Sequence, residues 1–113
     1  MNILRAYYIV AGEILEKHGF ISYVPQLKLT NAKSYYGKIH REIDGYFSSI
    51  SLSKHNLDAG AWIDEEDIHD ILDTISHEFA HMDFWEHDEK HSKLTRLYYD
   101  LIKCEIKLMP LVA

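Results

Sequence analysis

Apolar residues recur at helical spacing in three parts of the chain, which predicts three helices. The first occupies residues 3–18. The second begins after Asp64, which is typical of an N-cap, and Asp67 stands where a capping box places its acid. The third occupies residues 88–109 and ends at Pro110. The second and third predicted helices therefore follow each other along the C-terminal half of the chain.

The stretch between the first two helices alternates apolar and polar residues with a period of two, which predicts strands. Three such runs occur, and we expect them to share one small antiparallel sheet, at 21–30, 35–43 and 46–53. The dipeptide Asp44-Gly45 between the last two runs favours a two-residue hairpin turn. The predicted order is α-β-β-β-α-α, an α+β fold.

Length, charge and cysteine content narrow the class of protein. A chain of 113 residues is predicted to form one domain, 1–113. The net charge is −6 and no basic run is present, so we expect no nucleic-acid partner. One cysteine, Cys104, forms neither an internal disulfide nor a cysteine zinc ribbon, which favours a reducing, cytoplasmic location. No apolar run reaches the roughly 20 residues of a membrane span, so no membrane partner is expected.

The second predicted helix carries the sequence His77-Glu78-x-x-His81. Its apolar stripe lies on one face, and the two histidines fall nearly opposite that stripe. Histidines four apart on a helix lie one above the other, close enough to bind one zinc ion. Glu78 is placed to take a proton from a water that the ion activates. The pattern predicts one Zn²⁺ per chain, bound by His77 and His81, with Glu78 as the catalytic residue.

A third zinc ligand is needed, and the spacing leaves three candidates. His91 stands near the start of the last helix, which can return across the histidine face, and it is the ligand we expect. His87 follows His81 by six residues, the spacing of enzymes that have a glycine where this chain has Phe84. Glu105 is the remaining alternative, roughly 21 Å along the helix from His91.

Several segments together resemble a family of small zinc peptidases. These are "SYYGKI", "FSSISLS", "DTISHEFAHM" and the "KHSKL" that opens the last helix. Over nearly its whole length, the chain resembles the minigluzincins and, more loosely, SprT-like proteases. The resemblance implies a zincin-like fold with a mixed sheet above the active-site helix and a strand edge that binds an extended polypeptide substrate. It also implies that the third ligand is a histidine, which supports His91, and that residues 106–113 block the cleft or exchange within a homodimer.

The resulting hypothesis is a zinc metallopeptidase, active or held latent by its C-terminal segment. Two alternatives come from other classes. His77, His81 and His87 also fit the metal pattern of YbeY-type RNA-processing proteins, which a basic groove would favour. A non-catalytic zinc-binding module is the other alternative, and a closed four-ligand site would favour it.

Overall fold

The structure is a computed structural model that describes residues 3–57 and 64–107, and its elements follow the predicted α-β-β-β-α-α order. The tail predicted to block the cleft, 106–113, lies outside the described residues except for its first two, which end the last helix. The elements are α1 (Ile3–Lys17), β1 (Gln26–Thr30), β2 (Gly37–Arg41), β3 (Phe47–Ser53), α2 (Glu65–Ala80) and α3 (Glu89–Lys107).

The three strands form one mixed sheet in the order β1-β3-β2. β2 and β3 are antiparallel, with Ile39 opposite Ile50, but β1 and β3 are parallel, with Leu27 also opposite Ile50. The expectation of an all-antiparallel sheet, drawn from the residue pattern, is therefore wrong, and the mixed sheet that the resemblance implies is the one observed. β3 lies between β1 and β2, which run in opposite directions, so β3 must be parallel to one of them. The alternation of apolar and polar residues along a strand does not tell in which direction its neighbours run. The placement makes β2 an edge strand.

The connection between β2 and β3 is longer than the predicted two-residue turn. The Glu42 amide donates to the Tyr46 carbonyl at 2.7 Å, which leaves three residues in the loop. Gly45 ends that loop with φ at +90°. A three-residue hairpin with a left-handed glycine is the next common solution after the two-residue turn. The dipeptide Asp44-Gly45 therefore predicts the position of the hairpin correctly, but the predicted length of its loop is wrong.

The core lies between the three helices and the sheet. Tyr8 of α1 stacks on Phe79 of α2 with ring centroids 5.2 Å apart. The apolar stripe predicted for α2 is buried against this core through Ile71, Leu72, Ile75 and Phe79. The buried stripe fixes the rotation of α2, so the opposite face of α2 meets β2 and the start of α3.

Within the described residues, no helix has the length and apolar character needed to cross a membrane.

Candidate metal centre

Helix α2 positions the first part of the site. Its start is set by the predicted capping box, in which the Asp67 amide donates to Asp64 Oδ1 at 2.8 Å. Its last turn carries His77 and Glu78, and His81 is the C-cap residue. The two histidine rings lie 4.8 Å apart, centroid to centroid. Both imidazoles of the motif are thus placed side by side at one helix end.

The chain after α2 turns back toward the helix it has just left. The amides of Met82 and Asp83 each donate to a carbonyl three residues earlier, which tightens the turn. His81 Nδ1 donates to the Phe84 carbonyl at 3.1 Å. Trp85 then packs beneath the Arg41 guanidinium, which lies 4.1 Å from its ring centroid. This turn brings His87 and His91 back to the motif, and Phe84 lies within it.

Four imidazoles meet at this point. His77, His81 and His91 lie close enough to bind a metal ion, since one ring nitrogen from each falls within 4.8 Å of the others. His87 joins them from the turn: its Nε2 lies 3.1 Å from His77 Nε2 and 3.0 Å from His81 Nε2. The Nε2 atoms of His77 and His81 are 3.2 Å apart. Neutral imidazole nitrogens are the ligands that zinc and related ions prefer, so this donor set fits a metal ion.

Glu105, the carboxylate alternative for the third ligand, lies elsewhere. Its Oε1 is 3.1 Å from Lys17 Nζ and 3.1 Å from His18 Nε2 at the end of α1. Hydrogen bonds from His18 and Lys17 lower the pKa of this carboxyl. Glu105 therefore joins α3 to α1, and both of the sequence's histidine candidates reach the cluster instead.

Burial changes the ionisation of the site. Glu78 is 5% exposed, and its burial raises the pKa of the carboxyl from an ordinary value near 4.5 to about 7. Burial, followed by the charges of His91, His81 and His87, lowers the pKa of His77 to about 4. Burial also lowers the pKa of His81. The lowered pKa values of His77 and His81 favour their neutral form at pH 7, the form that binds metal, beside a carboxyl that exchanges its proton near neutral pH.

Gly37 of β2 is a part of the site that the sequence reasoning missed. A Cβ placed on Gly37 would lie 2.7 Å from Thr74 Cγ2 and 3.1 Å from both Cγ and Oε2 of Glu78. The strand backbone thus lies directly on the turn of α2 that carries the carboxylate. A glycine inside a strand pattern often marks such a close approach, and that signal was present in the sequence.

We expect Gly37→Ala to destabilise the chain by about 1–3 kcal/mol, because the added methyl overpacks the contact between β2 and α2. Urea denaturation measures the loss. Thr74→Ala removes the methyl that clashes, so Gly37→Ala should cost less in that background. Equal losses in the two backgrounds would show that Thr74 does not set the constraint.

Two open clefts meet at the motif. One, of about 440 Å³, runs along α2 and includes Tyr36, Asp70 and Asp73 in its lining. The other, of about 390 Å³, runs toward the turn after α2 and includes Lys38 and Trp85. Gly37, His77 and Glu78 line both. The carboxylate and the first imidazole therefore lie at the middle of one groove that β2 flanks.

No family model, curated protein or solved structure matches this chain. The resemblance to minigluzincins and the zincin-like fold therefore stay predictions that rest on the residues that suggested them. The geometry itself defines a small α+β fold with a cluster of histidines able to hold a metal ion.

Proposed function

We propose that the chain is a zinc-dependent peptidase that hydrolyses an extended polypeptide lying in the groove that β2 flanks. One observation supports this most strongly. A buried carboxyl, Glu78, lies next to converging imidazoles and opens into a groove that passes both. Structural metal sites are closed by their ligands, whereas a hydrolase needs a base and a substrate path at the metal.

The donor set supports zinc as the ion. Neutral imidazoles suit zinc, and three of them leave a tetrahedral ion one position for water. A bound zinc ion would supply a water of lowered pKa and would polarise the carbonyl of the scissile peptide bond. The lowered pKa of His77 keeps this ligand neutral down to moderately acidic pH.

Glu78 has the properties of a general base and acid. With its pKa raised to about 7, the carboxyl both accepts and releases a proton near neutral pH. It takes the proton that water loses as the oxygen attacks the carbonyl carbon. It then gives that proton to the amine that leaves when the C–N bond breaks. The products are a carboxylate and an amine, as hydrolysis requires.

The edge of β2 supports a polypeptide substrate. β2 pairs with β3 on one side only, and in the described part of the chain no strand pairs with its other side. Gly37, Lys38 and Ile39 line the cleft beside this edge. An extended peptide in the groove would therefore meet unpaired backbone donors and acceptors, which bind peptides by strand addition.

The charges of the groove favour a polypeptide over RNA. Its lining includes the acids Asp70, Asp73 and Glu86 beside one lysine, Lys38. A phosphate backbone would be repelled by this surface, and RNA-binding grooves are basic. The alternative of an RNA-processing enzyme finds no support in these residues.

The direct test is cleavage of a disordered protein, such as casein, by the zinc-loaded chain. The full chain and a chain ending at Lys107 are assayed in parallel, because the C-terminal segment is predicted to block the cleft. We expect cleavage by at least one of them, loss of activity on chelation, and recovery when zinc is restored. Absence of cleavage by both zinc-loaded chains would contradict the proposal.

A further inference from the structure

The four imidazoles around the motif differ in how their nitrogens are arranged. The Nε2 atoms of His77, His81 and His87 form a nearly equilateral triangle with sides of 3.0, 3.1 and 3.2 Å. A tetrahedral ion bound by nitrogens at about 2.0–2.1 Å separates them by about 3.3 Å. The triangle therefore already has almost the size of three ligands around one ion.

The rings of these three residues also point toward a common centre. The ring centroids of His77 and His87 lie 5.0 Å apart, although their Nε2 atoms are 3.1 Å apart. For His81 and His87 the ring centroids are 4.6 Å apart and the Nε2 atoms 3.0 Å apart. For His77 and His81 the ring centroids are 4.8 Å apart and the Nε2 atoms 3.2 Å apart. Each pair is closest at its Nε2 ends, so the lone pairs converge.

His91 is arranged differently. Its Nε2 lies 3.0 Å from the His77 carbonyl, and because a carbonyl only accepts, this nitrogen carries the proton. Its ring stacks on the ring of His81, with centroids 4.0 Å apart and planes 22° apart. An imidazole binds a metal through a lone pair in its own plane, and two rings that face each other 4.0 Å apart do not share a point close to both planes. The rings of His77 and His87 are also within 27° of parallel, but with centroids 5.0 Å apart and Nε2 atoms 3.1 Å apart they meet end to end and not face to face. His81 and His91 therefore cannot both coordinate the same ion in this arrangement.

His91 is firmly held where it is. It is 2% exposed, and its amide donates to Asp88 Oδ1 at 3.0 Å, an N-cap bond in the first turn of α3. Its side chain joins that turn to the last turn of α2 through the carbonyl of His77. The contact fixes the backbone of one metal ligand and the ring face of another.

We propose that His87 is the third metal ligand and that His91 is a positioning residue for His77 and His81. This inference rests on the proposed function and deepens it. Three ligands would then leave one coordination position for water, and the His91 ring would stack on the ring of His81 without reaching the ion. The set differs from the expected one, in which His91 completes the site.

A matched pair of variants, His87→Gln and His91→Gln, tests the assignment. A glutamine amide at position 91 still donates to the His77 carbonyl, whereas an amide at position 87 is a poor zinc ligand. We expect His87→Gln to weaken zinc binding by more than about 100-fold. His91→Gln should weaken it by about 100-fold at most, because substitution of a residue that contacts a ligand without binding the ion usually costs about 10- to 100-fold. Competition with a chromophoric chelator gives the affinities, and Glu105→Gln serves as the control.

X-ray absorption of the zinc-loaded chains counts the bound imidazoles. The count should be three in the wild type and in His91→Gln, and two in His87→Gln. A count that falls in His91→Gln but not in His87→Gln would overturn the assignment and leave the proposed function standing. A wild-type count of four would show a closed site and overturn the open position. Failure of the wild type to bind zinc would overturn both.

Because His91 is buried, a measurement without any substitution completes the test. Long-range ¹H–¹⁵N correlation of the histidine rings in the wild-type chain reports which nitrogens carry protons. We expect zinc to shift Nε2 of His77, His81 and His87 and to leave His91 protonated at Nε2. Loss of the Nε2 proton of His91 on zinc binding would overturn the assignment.

Discussion

Glu78→Gln is expected to lower kcat/KM for peptide hydrolysis by about 100- to 10,000-fold, the contribution of a positioned general base. Glutamine keeps the size of the side chain but cannot take a proton from water. The cleavage assay on a disordered substrate measures the loss. Glu78 is not among the imidazole ligands, so zinc affinity should stay nearly unchanged in the variant.

The control for this variant is Glu105→Gln. Glu105 lies at the junction of α1 and α3, bonded to Lys17 and His18. It is not among the described residues that line the groove. Its substitution should leave hydrolysis at the wild-type rate. A Glu78→Gln chain that hydrolyses as fast as this control would show that Glu78 is not the base.

Glu78→Gln should also change how the stability of the metal-free chain depends on pH. The pKa of Glu78 is raised in the folded state, so the protonated form is favoured and stability is lost as pH rises from about 4.5 to 7. Glutamine stays neutral and avoids this loss, which amounts to about 3 kcal/mol. The stability of Glu78→Gln relative to the wild type should therefore increase over this pH range. Urea denaturation at pH 4.5 and pH 8 measures it.

His81→Ala is expected to abolish zinc binding at micromolar zinc. It removes a metal ligand, and with it the Nδ1 bond to the Phe84 carbonyl that holds the following turn. The loss should exceed the 10- to 100-fold that substitution of an outer partner costs. Zinc at about 100 times its dissociation constant should stabilise the wild type by about 2.7 kcal/mol and leave the variant unaffected.

Thermal unfolding with and without zinc measures this difference. His55→Ala is the matched control, because His55 is an exposed histidine in the segment that follows β3. Its substitution should preserve the full stabilisation by zinc. Equal stabilisation of the His81→Ala chain would show that the ion binds elsewhere.

The sequence predicted the parts of the site that depend on one helix. The spacing of His77 and His81, the stripe opposite them and the capping box at Asp64 and Asp67 are all local features of α2. Each depends only on 3.6 residues per turn and on the unpaired amides at a helix start. The structure confirms the helix, the capping box and the burial of the stripe.

The features that involve two elements were harder to predict. Whether His87 or His91 reaches the ion depends on how the chain turns after α2, and this turn is held by contacts of Trp85 with Arg41 and Phe47. Alternation along a strand does not report its neighbour's direction, so the pattern of residues missed the parallel pairing of β1 with β3, and only the resemblance implied a mixed sheet. Such features depend on tertiary packing that spacing in one segment does not encode.

A zinc-loaded crystal measured on both sides of the zinc absorption edge tests the central claim most directly. We predict one anomalous peak per chain, about 2.0–2.1 Å from Nε2 of His77, Nε2 of His81 and one further histidine nitrogen, with the Glu78 carboxylate beside it. No peak at these imidazoles, or a peak bound by other residues, would contradict the account.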